Sequence, residues 1–263
     1  MKTNRQAYSL IELLVSCAVF LILIGVTLQI FKTVSHISDA SQRRMETMKQ
    51  AMSALERVSY DLHEAVHSGS ANLLVIKNAD PCGNDALVFV ATVASSSTPE
   101  SPRLLSVVKY SIAEKTSGTP DFGGWPTIPA FSRTVRPLSW SDDLGAILPL
   151  SETTSATAVA SGSTQQVSPG VIRYGICFQR WDGSIVANPP SDPAQVRALI
   201  CGIVAIDKIA ATRLSAAQRT TLASQFATLK DGERPFSVWK NSLNTLPQAT
   251  RETVRIYEQV ISI

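Results

Sequence analysis

Hydrophobic positions crowd together near the start of the chain and then thin out into two different periods. Residues 13–31 are 19 positions without a charged side chain, about the length of a helix that spans a bilayer. Ahead of them stand Lys2 and Arg5, a small residue, Ala7, an aromatic one, Tyr8, and a single carboxylate, Glu12. Beyond residue 31 the apolar positions open out to Met45, Met48, Met52, Leu55, Val58, Leu62 and Val66. This three-four spacing marks one face of an amphipathic helix. No proline occurs between Tyr8 and Asp80. One helix is therefore expected from Tyr8 to about Val66, on the order of 90 Å long, with Gly69 as its stop. Gly25 is the one residue of the apolar part that favours a bend.

Past the helix the period becomes two. Runs rich in Val, Ile and Tyr predict strands near 72–77, 86–93, 104–112, 171–180, 196–206 and 254–261. Residues 94–103 read as a Ser/Pro loop and 115–137 as a Gly/Pro/Trp-rich irregular stretch with a short strand near 134–138. Residues 151–170 are Ser/Thr/Ala-rich, of low complexity, and expected to be mobile. Residues 188–195 are a Pro-rich turn. Ser215 is a helix cap, and Leu222, Phe226 and Leu229 fall on one face of a helix over 215–229. A second short helix is expected over 236–246, so that two helices interrupt the sheet before its last strand.

Composition narrows the setting. Twenty-four Lys and Arg against 21 Asp and Glu leave a net charge of +3 with no basic tract, so no nucleic-acid partner is indicated. Charged residues make up only 17% of the chain, and Ser and Thr supply much of the polarity, as suits an extracytoplasmic surface. Of four cysteines, Cys17 lies in the apolar run. The remaining three, Cys82, Cys177 and Cys201, allow at most one internal disulfide. Cys177 and Cys201 sit on two apolar runs that can be neighbouring strands, either paired or as two buried thiols.

The leading edge, Ala7-Tyr8-Ser9-Leu10-Ile11-Glu12-Leu13-Leu14, resembles the N-terminus of type IV prepilins and type II secretion pseudopilins. The resemblance implies cleavage by a prepilin peptidase between Ala7 and Tyr8 and N-methylation of Tyr8. The chain departs from the family pattern in having Ala7 where Gly is usual and Tyr8 where Phe is usual. Glu12 then becomes the fifth mature residue, the carboxylate that meets a neighbouring subunit's amine during assembly. An ionisable group in hydrocarbon costs roughly 2.5–3.5 kcal/mol or more and needs such a partner; the plainer alternative is a side chain that snorkels to the membrane surface. A cleaved secretory signal has an apolar core of only about 7–15 residues. A plain anchor explains the length and the basic leader but not the Ala-Tyr-Ser-Leu-Ile-Glu edge. A weaker resemblance, from residues 54–62 and 85–89, points to the J-type minor pseudopilin or a related minor pilin.

The resemblance implies an α+β, pilin-like fold, a long helical spine on an antiparallel β-sheet head; the helical insertion before the last strand, read from the residues, is a departure from a compact minor pilin. The resemblance divides the chain into a leader at 1–7, a membrane and assembly segment at 8–31, an amphipathic half-helix at 32–68 and a globular head at 69–263. The protein would be single-pass in the bacterial inner membrane, its short N-terminus inside and its head outside. It would be a non-enzymatic subunit without cofactors. Its partners would be other pilins, the prepilin peptidase, an inner-membrane assembly platform and the bilayer.

One motif competes. His63-Glu64-Ala65-Val66-His67 fits H-E-x-x-H, which on a helix sets two imidazoles one turn apart to hold zinc, with Glu64 as base. A membrane-anchored zinc metallopeptidase is the alternative function, and it lacks an evident third ligand. The oxygen-rich stretch 78–85 can hold calcium but has no EF-hand spacing, and reads as a turn between strands. Trp125, Trp140, Trp181 and Trp239 read as core or loop anchors.

Overall fold

The computed structural model describes residues 10–66, 73–92, 102–113, 130–139, 142, 150–151, 159, 162–190 and 192–263. Two compact units divide the chain, Met1–Met45 and Glu46–Ile263. Helix α1 runs Leu10–His63 without interruption, and Gly25 lies within it. In its apolar part the hydroxyls of Ser16, Thr27 and Thr33 donate to the carbonyls of Glu12, Leu23 and Gln29, at 2.8, 2.8 and 2.9 Å. These polar groups are thus satisfied within the helix, as an apolar surrounding requires.

The helix ends at His63, three residues earlier than the periodicity predicts. From Glu64 the chain is captured by a strand. Ala65 bridges to Ala91, Val66 N donates to Val90 O at 2.9 Å, and Thr92 N donates to Glu64 O at 3.0 Å. The second unit begins with the last turns of α1, and its buried face differs from the expected stripe. Ala51, Ala54, Leu55, Val58 and Leu62 are buried together with Thr47 and Asp61. Met45, Met48 and Met52 are instead exposed, at 60, 51 and 41%. Both stripes share Leu55, Val58 and Leu62. The alanine side brings the helix backbone closest to the sheet, and packing chooses it over the bulkier methionine side.

Nine strands follow among the described residues, in two antiparallel sheets. The first holds β1 Leu73–Ile76, β2 Ala86–Ala91, β3 Pro102–Ala113, β4 Ala130–Ser139 and β5 Ser163–Ser168, in sequential order. The second holds β6 Val171–Arg180, β7 Ile185–Val186, β8 Val196–Ile206 and β9 Val254–Ser262, in the order β7-β6-β8-β9. β6 and β8 have the expected bounds. Two expectations are corrected. β4 is a ten-residue strand, not a short one in an irregular stretch, and β5 lies within the low-complexity stretch. Their Ser, Thr and Gln side chains hide the strand period, but backbone pairing with neighbours does not need apolar side chains. The features expected at residues 67–72, 93–101 and 114–129 lie outside the described residues.

The main core forms where α1 meets both sheets: Leu55, Val58 and Leu62 pack with Leu87, Phe89, Tyr110 and Phe131 of the first sheet and with Tyr174, Ile176, Leu199 and Ile203 of the second. The turn between β1 and β2 joins the sheets. β7 pairs with β6 only at Phe178 and Gln179. Further back along β6, side chains take the place of a strand. Asn84 Oδ1 accepts from Tyr174 N at 2.9 Å, and Asp85 N donates to Tyr174 O at 3.0 Å. Asp85 Oδ2 accepts from Ile176 N at 2.8 Å, and Lys77 Nζ donates to Ile176 O at 2.7 Å. The expected turn at 78–85 is present. Its carboxylates are engaged by protein donors: Asp80 by Asn84, and Asp85 by Lys77, Asn78 and Ile176.

The far face of the second sheet is covered by the helical insertion: α2 Lys208–Arg213, α3 Ala216–Ser224, α4 Pro235–Thr245 and α5 Gln248–Thr253. Ser215 caps α3 in a full capping box, as its sequence signals. α4 has no cap of its own; Glu258 of β9 accepts from Phe236 N at 2.9 Å and pairs with Arg234. Leu222, Phe226, Leu229 and Trp239 fill a second core against Ile172, Cys177, Ile200 and Val204. Trp239 is fully buried, its Nε1 donating to Ala227 O at 3.0 Å. It lies over Gly175 and Gly202, which face each other across β6 and β8. A Cβ at Gly202 would stand 2.3 Å from Pro235 Cβ and 2.8 Å from Trp239 Cζ3.

The glycine pair is thus the floor on which the insertion sits. Gly202→Ala should lower stability by about 1–3 kcal/mol, the usual effect of overpacking a filled core. Urea unfolding of the full chain in detergent, followed by Trp fluorescence, measures it; unchanged stability would mean that Trp239 is not held there.

Candidate functional site

The features that point to function lie along α1. Glu12 occupies the first turn of the helix. Around it the apolar side chains face outward: Leu10 is 79% exposed, and Ile11, Leu13, Leu14, Phe20 and Phe31 are likewise exposed. The helix is long and apolar enough to cross a membrane. A surface of this length and polarity is stable in lipid or against other apolar helices, not in water. Ala7 and Tyr8, the residues of the expected cleavage point, lie outside the described residues.

The C-terminal end of the same helix carries a polar clamp that the apolar periodicity hides. Asp61 is fully buried. Its Oδ2 accepts from Arg133 Nε of β4 at 2.5 Å and from the Tyr110 hydroxyl of β3 at 2.5 Å. Arg57 Nε lies 3.6 Å from Oδ1, one turn back along the helix. Burial, followed by the neighbouring Asp61 carboxylate, pushes the Tyr110 phenol well above its ordinary range, so it stays a donor. Tyr110 also stacks between Phe89 and Phe131, with ring centroids at 6.3 and 5.6 Å. The clamp therefore ties α1 to the middle of the first sheet through a charge, a hydroxyl and an aromatic row. A charged residue one position before Leu62, on the apolar side of the helix, was the signal that could have revealed it.

The H-E-x-x-H stretch does not form one turn of helix. His63 is the last helical residue, exposed, with Nδ1 2.7 Å from Ser59 O. Glu64 Oε2 accepts from the Thr92 hydroxyl at 3.0 Å, and Ala65 and Val66 pair with β2. His67 lies outside the described residues. Among the described residues, no three His, Cys, Asp or Glu side chains gather where a metal ion could be held.

The cysteines are free thiols. Opposite positions in the β6–β8 ladder are Ile176 with Cys201 and Cys177 with Ile200. Cys177 and Cys201 are thus one residue out of register and face opposite sides of the sheet, Cys201 in the main core and Cys177 under the insertion. Burial pushes both thiols up to about 12. Of the tryptophans, Trp239 is a core residue. Trp181 is a loop anchor, its Nε1 donating to Ala194 O at 3.1 Å and Arg197 lying over its ring. Trp125 and Trp140 lie outside the described residues.

A family model described as the prokaryotic N-terminal methylation motif matches residues 2–28. A comparison with curated proteins finds no match. The matched stretch contains Ala7, Tyr8 and Glu12 and most of the apolar run. It is a prepilin-type signature on a chain whose long N-terminal helix is followed by antiparallel sheets, an α+β, pilin-like arrangement. Together they support a pilin-like subunit anchored in a membrane by one apolar helix.

Two expectations follow. Asp61→Ala strands Arg133 in the core and should lower stability by about 3–5 kcal/mol, whereas Asp61→Leu combined with Arg133→Met and Tyr110→Phe should be far milder. Denaturant titration of the full chain in detergent compares the two. The thiols give a pH dependence. Both remain protonated in the fold up to about 12, while the unfolded chain releases their protons from about 9. Their contribution to stability is complete below about pH 9 and falls as pH rises toward 12. Replacing both by Ala should flatten that alkaline limb. Native iodoacetamide labelling should leave Cys177 and Cys201 unmodified; a Cys177–Cys201 disulfide in the mass spectrum would refute the register.

Proposed function

We propose that this chain is a minor pseudopilin or minor pilin, a non-enzymatic subunit of a type II secretion or type IV pilus-like filament. The observation that carries the reading is the coincidence of the methylation motif at residues 2–28 with a helix that has Glu12 in its first turn and outward apolar side chains behind it. Residues 1–7 are the leader, removed by a prepilin peptidase; 8–31 cross the inner membrane; the remainder of α1 joins the head, which lies outside. Lys2 and Arg5 hold the leader on the cytoplasmic side.

On this reading the helix moves from lipid into a bundle of other pilins' helices. Lipid is as apolar as the bundle, so the transfer is driven by close packing and by polar pairing rather than by the hydrophobic effect. Leu10, Leu13, Leu14 and Phe20 supply the packing surface. Glu12 supplies the polar contact, because a carboxylate in hydrocarbon is stabilised by the positive charge of a neighbour's N-terminal amine.

Intact-mass measurement of chain extracted from membranes of a host with active prepilin peptidase should give a mature N-terminus at Tyr8 carrying one methyl group. An uncut Met1 would overturn the processing. Glu12→Ala should leave insertion and folding intact while removing the subunit from assembled filaments. Incorporation at the level of the unaltered chain would refute the assembly role of the carboxylate. Glu64→Gln separates this reading from a metallopeptidase: it should change stability by no more than about 0.5 kcal/mol and leave filament function intact, as for most exposed substitutions. Loss of a peptide-cleaving activity in this variant would favour the enzyme.

A further inference from the structure

We draw no further inference here: the strongest candidate, the outward face of α1 that carries Met48, Met52 and Tyr60, is an apolar surface, and nothing in the structure shows what covers it.

Discussion

The open edge of β6 is the constraint that the head is built around. A strand paired along one side only leaves a row of amide and carbonyl groups exposed, each of which must find a partner if it is buried. β7 is two residues long and serves only the end of β6. The β1–β2 turn serves Tyr174 and Ile176, whose backbone groups bond to Asn84, Asp85 and Lys77. One cluster of residues thereby extends an edge of the second sheet and joins it to the first. The turn is itself held in shape by Asp80, which accepts from both Asn84 N and Asn84 Nδ2. Gly83, at φ +80°, makes the left-handed step that most side chains avoid, with Arg173 Nη1 bonded to the carbonyl of Cys82 beside it.

With the two sheets joined, both can contribute side chains to the core that receives the last turns of α1. Small residues, Ala51 and Ala54, let the helix approach closely, and Leu55, Val58 and Leu62 fill the space on either side. Asp61 adds direction to a contact that is otherwise apolar and tolerant of sliding. A buried carboxylate is worth little in net stability, because its desolvation offsets most of its attraction to Arg133. Its geometric requirement is strict: the carboxylate must meet one guanidinium and one hydroxyl, which suits a contact that has to hold a helix in a defined place. The strap of Glu64, Ala65 and Val66 along β2 continues that attachment past the end of the helix.

The proposed role asks two different things of one helix. Its first part must be at home in lipid, so its hydroxyls bond back to its own carbonyls and its apolar side chains point outward. Its last part must bury a face in a water-soluble head, so it alternates small and large apolar residues around a single paired charge. No catalytic geometry is required for either task. The helical insertion covers the far face of the second sheet through Trp239 and the glycine pair beneath it.

The apolar run, the lone Glu12, the long N-terminal helix, the β6 and β8 strands and the Ser215 cap were all legible in the sequence. Each depends on local physics: periodicity of side chains, absence of proline, chain length against bilayer thickness, and a capping side chain three residues from its donor. Tertiary contacts decided the rest. The three-four pattern admitted both an alanine and a methionine side of α1, and only the sheet selected the alanines and Asp61. The helix ended at His63 because Ala65 and Val66 were captured by β2. β5, Ser-Thr-Gln-Gln-Val-Ser, has no apolar alternation, and its pairing with β4 is made by backbone groups that every residue carries. Cys177 and Cys201 were open to pairing until register placed them on opposite faces, since one step along a strand reverses the side to which a side chain points.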